Sequence, residues 1–132
     1  LVKHYGSRVA LDDVSFTVPK GEVVGVLGPT GAGKSSTLRI LSGYLAPTAG
    51  TVRVAGHDVV RARRAARAAI GYMPEAVPLY PEMRVAEYLR FRAELKGIAG
   101  RERKAAVGRA MEQAFVADVA ADLIGKLSKG YR

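Results

Sequence analysis

The sequence predicts an α/β fold in two parts: a β-rich part with interspersed helices over residues 1–81, then a helical part over 82–132. Three observations carry this reading. Strand-length apolar runs, some alternating and some continuous, recur in the first part between Gly and Pro turns. A glycine-rich loop separates one continuous apolar run from a stretch of helix length. From Val85 onward the apolar residues recur at helical rather than strand spacing.

The elements follow in order. Val14, Phe16 and Val18 alternate with Ser15 and Thr17, as a half-buried strand does, and Pro19, Lys20 and Gly21 turn the chain. Val23-Val24-Gly25-Val26-Leu27 is a continuous apolar run, expected of a strand buried on both faces. Ser36 to Ser42 has helix length, with Leu38 and Leu41 three apart and Gly43 placed to end it. Pro47 to Gly50 is a turn, Thr51 to Val54 a strand closed by Gly56, Arg61 to Ala69 a surface helix, and Ile70 to Met73 a short buried strand. In the second part Tyr88, Phe91, Leu95 and Ile98 share a helical face, with Arg90 and Glu94 set as an i,i+4 pair. Val107, Ala110, Met111, Ala114 and Phe115 form the stripe of a second helix, and Asp118 suits the N-cap of a further short one.

The loop Gly28-Pro29-Thr30-Gly31-Ala32-Gly33-Lys34-Ser35 satisfies the phosphate-loop pattern G-x-x-x-x-G-K-[ST]. Each residue type has a chemical reason. Glycines let successive N–H groups turn inward toward phosphate oxygens. Lys34 brings a compact positive charge for the β- and γ-phosphates, and Ser35 brings a hydroxyl for Mg²⁺. The helix that follows, beginning near Ser36, points its free N-terminal amides at the same anion. The pattern stands between a strand-like run and a helix, which is the context that gives it meaning.

Composition narrows the remaining classes. The chain of 132 residues lacks cysteine, so disulfides and thiolate metal sites are excluded, in keeping with a reducing compartment. No apolar run approaches the roughly 20 residues of a membrane-spanning helix. The net charge of +9 is uneven: residues 1–60 hold 6 basic and 4 acidic side chains, residues 61–132 hold 15 and 8. Most arginines of the basic half, in the runs 61–67 and 101–109, stand apart from any aromatic, so it reads as a solvated helical surface rather than a stacking surface for single strands. His4 and His57 have no ligand-like spacing, and Asp12, Asp13 and Asp58 read as turn or strand-edge residues.

The order of these motifs resembles the ABC (ATP-binding cassette) transporter ATPases. Lys3-His4-Tyr5-Gly6, Leu11-Asp12-Asp13-Val14-Ser15-Phe16, Gly21-Glu22-Val23, the phosphate loop, Leu41-Ser42-Gly43 and Pro47 to Val52 follow that family's sequence of motifs. Ile70 to Glu75 with Leu79 to Met83 looks like the region of its Q-loop, and Leu127 to Arg132 like the opening of its signature motif. The similarity runs the length of the chain and is greatest to the ABC-2 export group.

The resemblance implies a P-loop fold of ABC type that ends here before the Walker B strand, the D-loop and the switch His. It implies that Tyr5 stacks on adenine, that Gly28, Pro29, Thr30, Gly31, Ala32, Gly33, Lys34, Ser35 and Ser36 bind ATP, and that Ser35 takes part in holding Mg²⁺. Glu75 stands where most relatives have the Gln that touches Mg²⁺ and the attacking water; a carboxylate there can ligate the metal but adds negative charge near the γ-phosphate. Ser128, Lys129 and Gly130 match the signature that contacts, in trans, ATP held by an opposing subunit, with Lys129 and Tyr131 replacing the usual Gly and Gln. The expected protein is a cytoplasmic ATPase subunit on the inner face of the membrane, acting as a dimer with a transmembrane permease. The piece without Walker B is expected to be inactive alone. A soluble relative acting on ribosomes or nucleic acid is the alternative, motivated by the basic second half; nucleic acid is the less expected partner.

Overall fold

A computed structural model describes residues 1–75 and 77–131. Its contacts divide the chain into two compact units, Leu1–Tyr72 and Met73–Arg132.

The first unit is built from two β-hairpins and two helices. Strands β1 (Lys3–Tyr5) and β2 (Arg8–Leu11) pair antiparallel across Gly6 and Ser7, with Tyr5 opposite Arg8 and a register shift between Lys3 and His4. Strands β3 (Arg53–Val54) and β4 (His57–Asp58) pair across Ala55 and Gly56. Both loop residues have positive φ, 49° and 80°, as the tightest hairpin turns require. Asp58 then closes the next turn: its Oδ1 accepts the N–H groups of Val60 and Arg61 at 2.8 Å each. The segment after Ala46 lies beside β1, where Val2 N–H donates to Ala49 O and His4 N–H donates to Thr48 Oγ1.

Helix α1 (Lys34–Leu41) leaves the phosphate loop directly. It buries Thr37 and Ile40, three apart and so on one face, and Ile40 is fully buried. Gly43, at φ 67°, ends the helix as expected, with its N–H on Ile40 O and the N–H groups of Tyr44 and Leu45 on Arg39 O. Leu11, Val59 and Ala66 of helix α2 (Arg63–Ala68) are the other buried apolar residues of this unit.

The second unit pairs helix α3 (Val85–Leu95) with helix α4 (Gly100–Gln113), followed by single 3-10 turns at Ala117–Val119 and Ile124–Lys126. The start of α3 is satisfied twice over. Glu87 reaches back to the N–H of Arg84 at 2.9 Å, and the N–H groups of Val85 and Ala86 find the carbonyls of Asp122 and Ala120. The chain near 120–125 is thereby tied to this end of the helix. Val85, Ile124 and Leu127 form the core there, with Leu79, Met83, Tyr88, Leu89, Val116 and Val119 against it. Gly125 passes so close to Pro81 that a Cβ on it would lie 3.0 Å from the Pro81 carbonyl oxygen.

Several local expectations give way. Residues 23–27 and 70–73 carry no ladder hydrogen bonds among the described residues and lie outside the strands; of residues 14–18 only Val14 is paired, exchanging backbone hydrogen bonds with Leu1 at 3.0 and 2.7 Å. Val23 and Leu27 are 100% and 93% exposed. An apolar run states a demand for burial but cannot supply the neighbouring strand that a ladder needs. Glu94 does not pair with Arg90; it meets Arg103 of α4 at 3.4 Å. An acid placed C-terminal to its base is the poorer i,i+4 order, and the adjacent helix offers another cation. Asp118 lies inside its short turn, whose preceding residue is Val116, and caps nothing with its side chain. Phe115 falls past the end of α4 at φ 55° and is 85% exposed, so the apolar stripe outruns the helix.

Candidate phosphate-binding site

The loop between Leu27 and α1 is shaped by its glycines. Gly31 and Gly33 have φ of 89° and 85°, in the region that side chains rarely adopt. Gly33 has a second constraint: a Cβ would lie 2.4 Å from both the Ala10 carbonyl oxygen and Leu11 Cδ2. The loop therefore rests on β2 through a position where only glycine fits. Ala32 N–H closes a turn on Pro29 O, and Thr37 N–H and Oγ1 both return to Gly33 O, which fixes the exit into α1.

Past Gly33 the first turn of α1 begins. The N–H groups of Lys34, Ser35 and Ser36 have no acceptor among the described residues, as the geometry of a helix start requires. Lys34 Nζ donates to the carbonyls of Gly28 and Pro29, at 2.7 and 2.8 Å, so its ammonium stands over the loop itself. Tyr5 Oη and Ser36 Oγ are 3.3 Å apart. Lys3 lies two residues before Tyr5 and so on the same side of β1; its Nζ stands 5.2 Å from the Tyr5 ring centroid.

A cleft of about 260 Å³ gathers Tyr5, Gly31, Ala32, Gly33, Lys34, Ser35 and Ser36. Gly28 and Pro29 border it through their bonds to Lys34, while Thr30 forms the exposed turn between. Arg8 and Arg39 also line the cleft, and no Asp or Glu does. Neither arginine belongs to the loop pattern. Their signal in the sequence was positional: Arg8 faces Tyr5 across a two-residue turn, and Arg39 lies one helical turn after Ser36. Unpaired N–H groups, a backbone that excludes Cβ and three cations without a carboxylate suit an anion with several charges.

Glu75 and the segment Ser128-Lys129-Gly130 belong to the second unit. All four are exposed. Ser128 opens a turn in which Tyr131 N–H donates to Ser128 O at 3.1 Å and Tyr131 Oη donates to Asp118 at 3.3 Å. Among the described residues no group of three or more His, Cys, Asp and Glu is placed to hold a metal, and no helix is long and apolar enough to cross a membrane.

Loop and helix are those of a P-loop domain, and the cleft beside them is its candidate phosphate site. More narrowly, the chain belongs to the ABC transporter family, whose model, described as "ABC transporter", matches residues 11–132. It is 36% identical over its whole length to a probable multidrug ABC transporter ATP-binding protein of Escherichia coli (strain K12), covering 23% of that protein. It is 38% identical over 98% of its length to a Nod factor export ATP-binding protein of Paraburkholderia xenovorans (strain LB400), covering 43%. It is 37% identical, again over 98%, to a daunorubicin resistance ATP-binding protein of Streptomyces coeruleorubidus, covering 41%. The chain thus spans less than half the length of these curated relatives. A solved structure titled as the ATP binding subunit of an ABC transporter superposes with a TM-score of 0.84 at 28% identity, over 98% of this chain and 54% of that one. The fold is that of the ABC ATPases.

Proposed function

We propose that this chain forms the phosphate-binding part of an ABC transporter ATPase subunit that uses ATP to drive export through a transmembrane partner. The observation that carries the reading is the cleft in which Tyr5 meets Gly31 to Ser36. Tyr5 supplies a flat face for adenine on the side away from Lys3, a contact worth about 1–3 kcal/mol by analogy with base stacking. The loop amides and Lys34 take the β- and γ-phosphates; to do so Lys34 exchanges two carbonyl partners for phosphate oxygens.

Mg²⁺ would be held by Ser35, and when bound it would neutralise charge that develops on the phosphates. The Ser35 hydroxyl makes no hydrogen bond among the described residues, so nothing competes for it. Ser128, Lys129 and Gly130 offer a hydroxyl, a cation and a small residue to the γ-phosphate of ATP on a second subunit, which makes the working unit a dimer. Subunits of this kind act from the cytoplasmic face of the membrane.

The relatives named for drug resistance, multidrug transport and Nod factor export support transport over action on ribosomes or nucleic acid. The test is ATP hydrolysis by the full-length protein with and without Lys34→Ala. The wild type is expected to hydrolyse ATP in the presence of Mg²⁺ and the variant to lose most of that activity. Equal rates would remove the phosphate loop from the mechanism.

A further inference from the structure

The cleft holds more positive charge than the phosphate-loop pattern explains. Arg8 starts beside the aromatic end, since it is the cross-strand partner of Tyr5, and such partners lie about 4.5–5.5 Å apart at Cβ. Its far end reaches the loop: a Cβ built on Gly31 would lie 3.6 Å from Arg8 Nη2. The Arg8 side chain therefore spans from Tyr5 to the phosphate loop. Arg39 approaches the same end from α1, one turn past the Ser36 hydroxyl that meets Tyr5 Oη.

Neither guanidinium has a hydrogen-bond or ion-pair partner among the described residues. Two cations facing one cleft repel each other, and no carboxylate in its lining offsets them. Arg39 does complement the C-terminal end of the α1 dipole. Arg8 sits on a strand, where that explanation has no hold.

We infer that Arg8 and Arg39 contact the nucleotide between base and β-phosphate, at the α-phosphate and ribose oxygens, leaving the β- and γ-phosphates to Lys34 and the loop. The planar fork of arginine suits two oxygens of one phosphate. Arg8 begins beside Tyr5 and ends at Gly31, and Arg39 follows Ser36 by one turn, which places the pair between the aromatic end and the loop. This inference rests on the cleft being the nucleotide site.

The test is isothermal titration calorimetry of ATP and of ADP against the full-length protein, at two salt concentrations. Wild type is compared with Arg8→Gln, Arg39→Gln, the charge-preserving Arg8→Lys and Arg39→Lys, and Lys34→Ala; matched melting temperatures show which variants are folded. Each Gln variant is expected to weaken ATP and ADP by the same factor, about 10-fold, with a shallower salt dependence, and each Lys variant to regain part of the loss. Unchanged affinity in the Gln variants, while Lys34→Ala abolishes binding, overturns the role of the pair and leaves the nucleotide site standing. A loss confined to ATP overturns it as well, because it would place the arginines at the γ-phosphate. Unchanged binding in Lys34→Ala removes the nucleotide site and the inference together.

Discussion

Gly33 is where a single side chain would do the most local damage. A Cβ there meets Ala10 O and Leu11 Cδ2 at 2.4 Å, and its φ of 85° adds strain. Gly33→Ala is expected to cost about 1–3 kcal/mol in urea unfolding and to weaken ATP binding, because α1 can no longer leave the loop at the same point. Asp58 gives a prediction in pH. The N–H of Arg61, then that of Val60, holds its carboxyl below the ordinary carboxylate range. A folded-state pKa below the unfolded one means the unfolded chain takes up the proton first as pH falls. The stabilisation is therefore full above the ordinary carboxylate value of about 3.9 and lost as pH drops through the folded value. Melting temperatures of wild type and Asp58→Ala should differ at pH 7 and converge below about pH 4. At this scale the sequence was legible wherever chemistry dictates the residue: the motif named Lys34 and Ser35 from spacing alone. Arg8 and Arg39 were not legible, because only the hairpin register and the helix turn bring them to Tyr5.

Helix α1 carries Lys34 and Ser35 and is anchored at Ile40, which is fully buried. Ile40→Ala is expected to destabilise the chain by about 2–5 kcal/mol, read by chemical denaturation. In contrast, Glu94→Ala removes only a partly exposed pair with Arg103 and should change stability by less than about 1 kcal/mol in the same measurement. The helices were the readable elements, since their hydrogen bonds are local and period and glycine signals place them to within a few residues: the stretch expected at 36–42 is observed at Lys34–Leu41, and that at 85–98 as Val85–Leu95. Strands were not readable in the same way. Val23 to Leu27 has the composition of a buried strand, yet a ladder depends on a partner that periodicity within the run does not specify.

For the whole molecule, that unpaired stretch has a measurable consequence. Phe16, Val18, Val24, Val26 and Leu27 are exposed, and several border an apolar cleft of about 360 Å³ in the first unit. The 132-residue chain is expected to enhance the fluorescence of an apolar dye such as ANS, and Val24→Ser with Leu27→Ser to reduce that enhancement. The fold class was legible at this scale because the order of motifs along the chain is itself a fingerprint, and the ABC transporter model and the solved ATP binding subunit agree with it. What the chain is built to hold is the central claim, and ATP affinity by calorimetry on the full-length protein tests it most directly. Wild type should bind ATP, and Lys34→Ala, with an unchanged melting temperature, should bind at least about 10-fold more weakly through loss of a charge-assisted contact. Equal affinity for the two would contradict a phosphate site at residues 28–35.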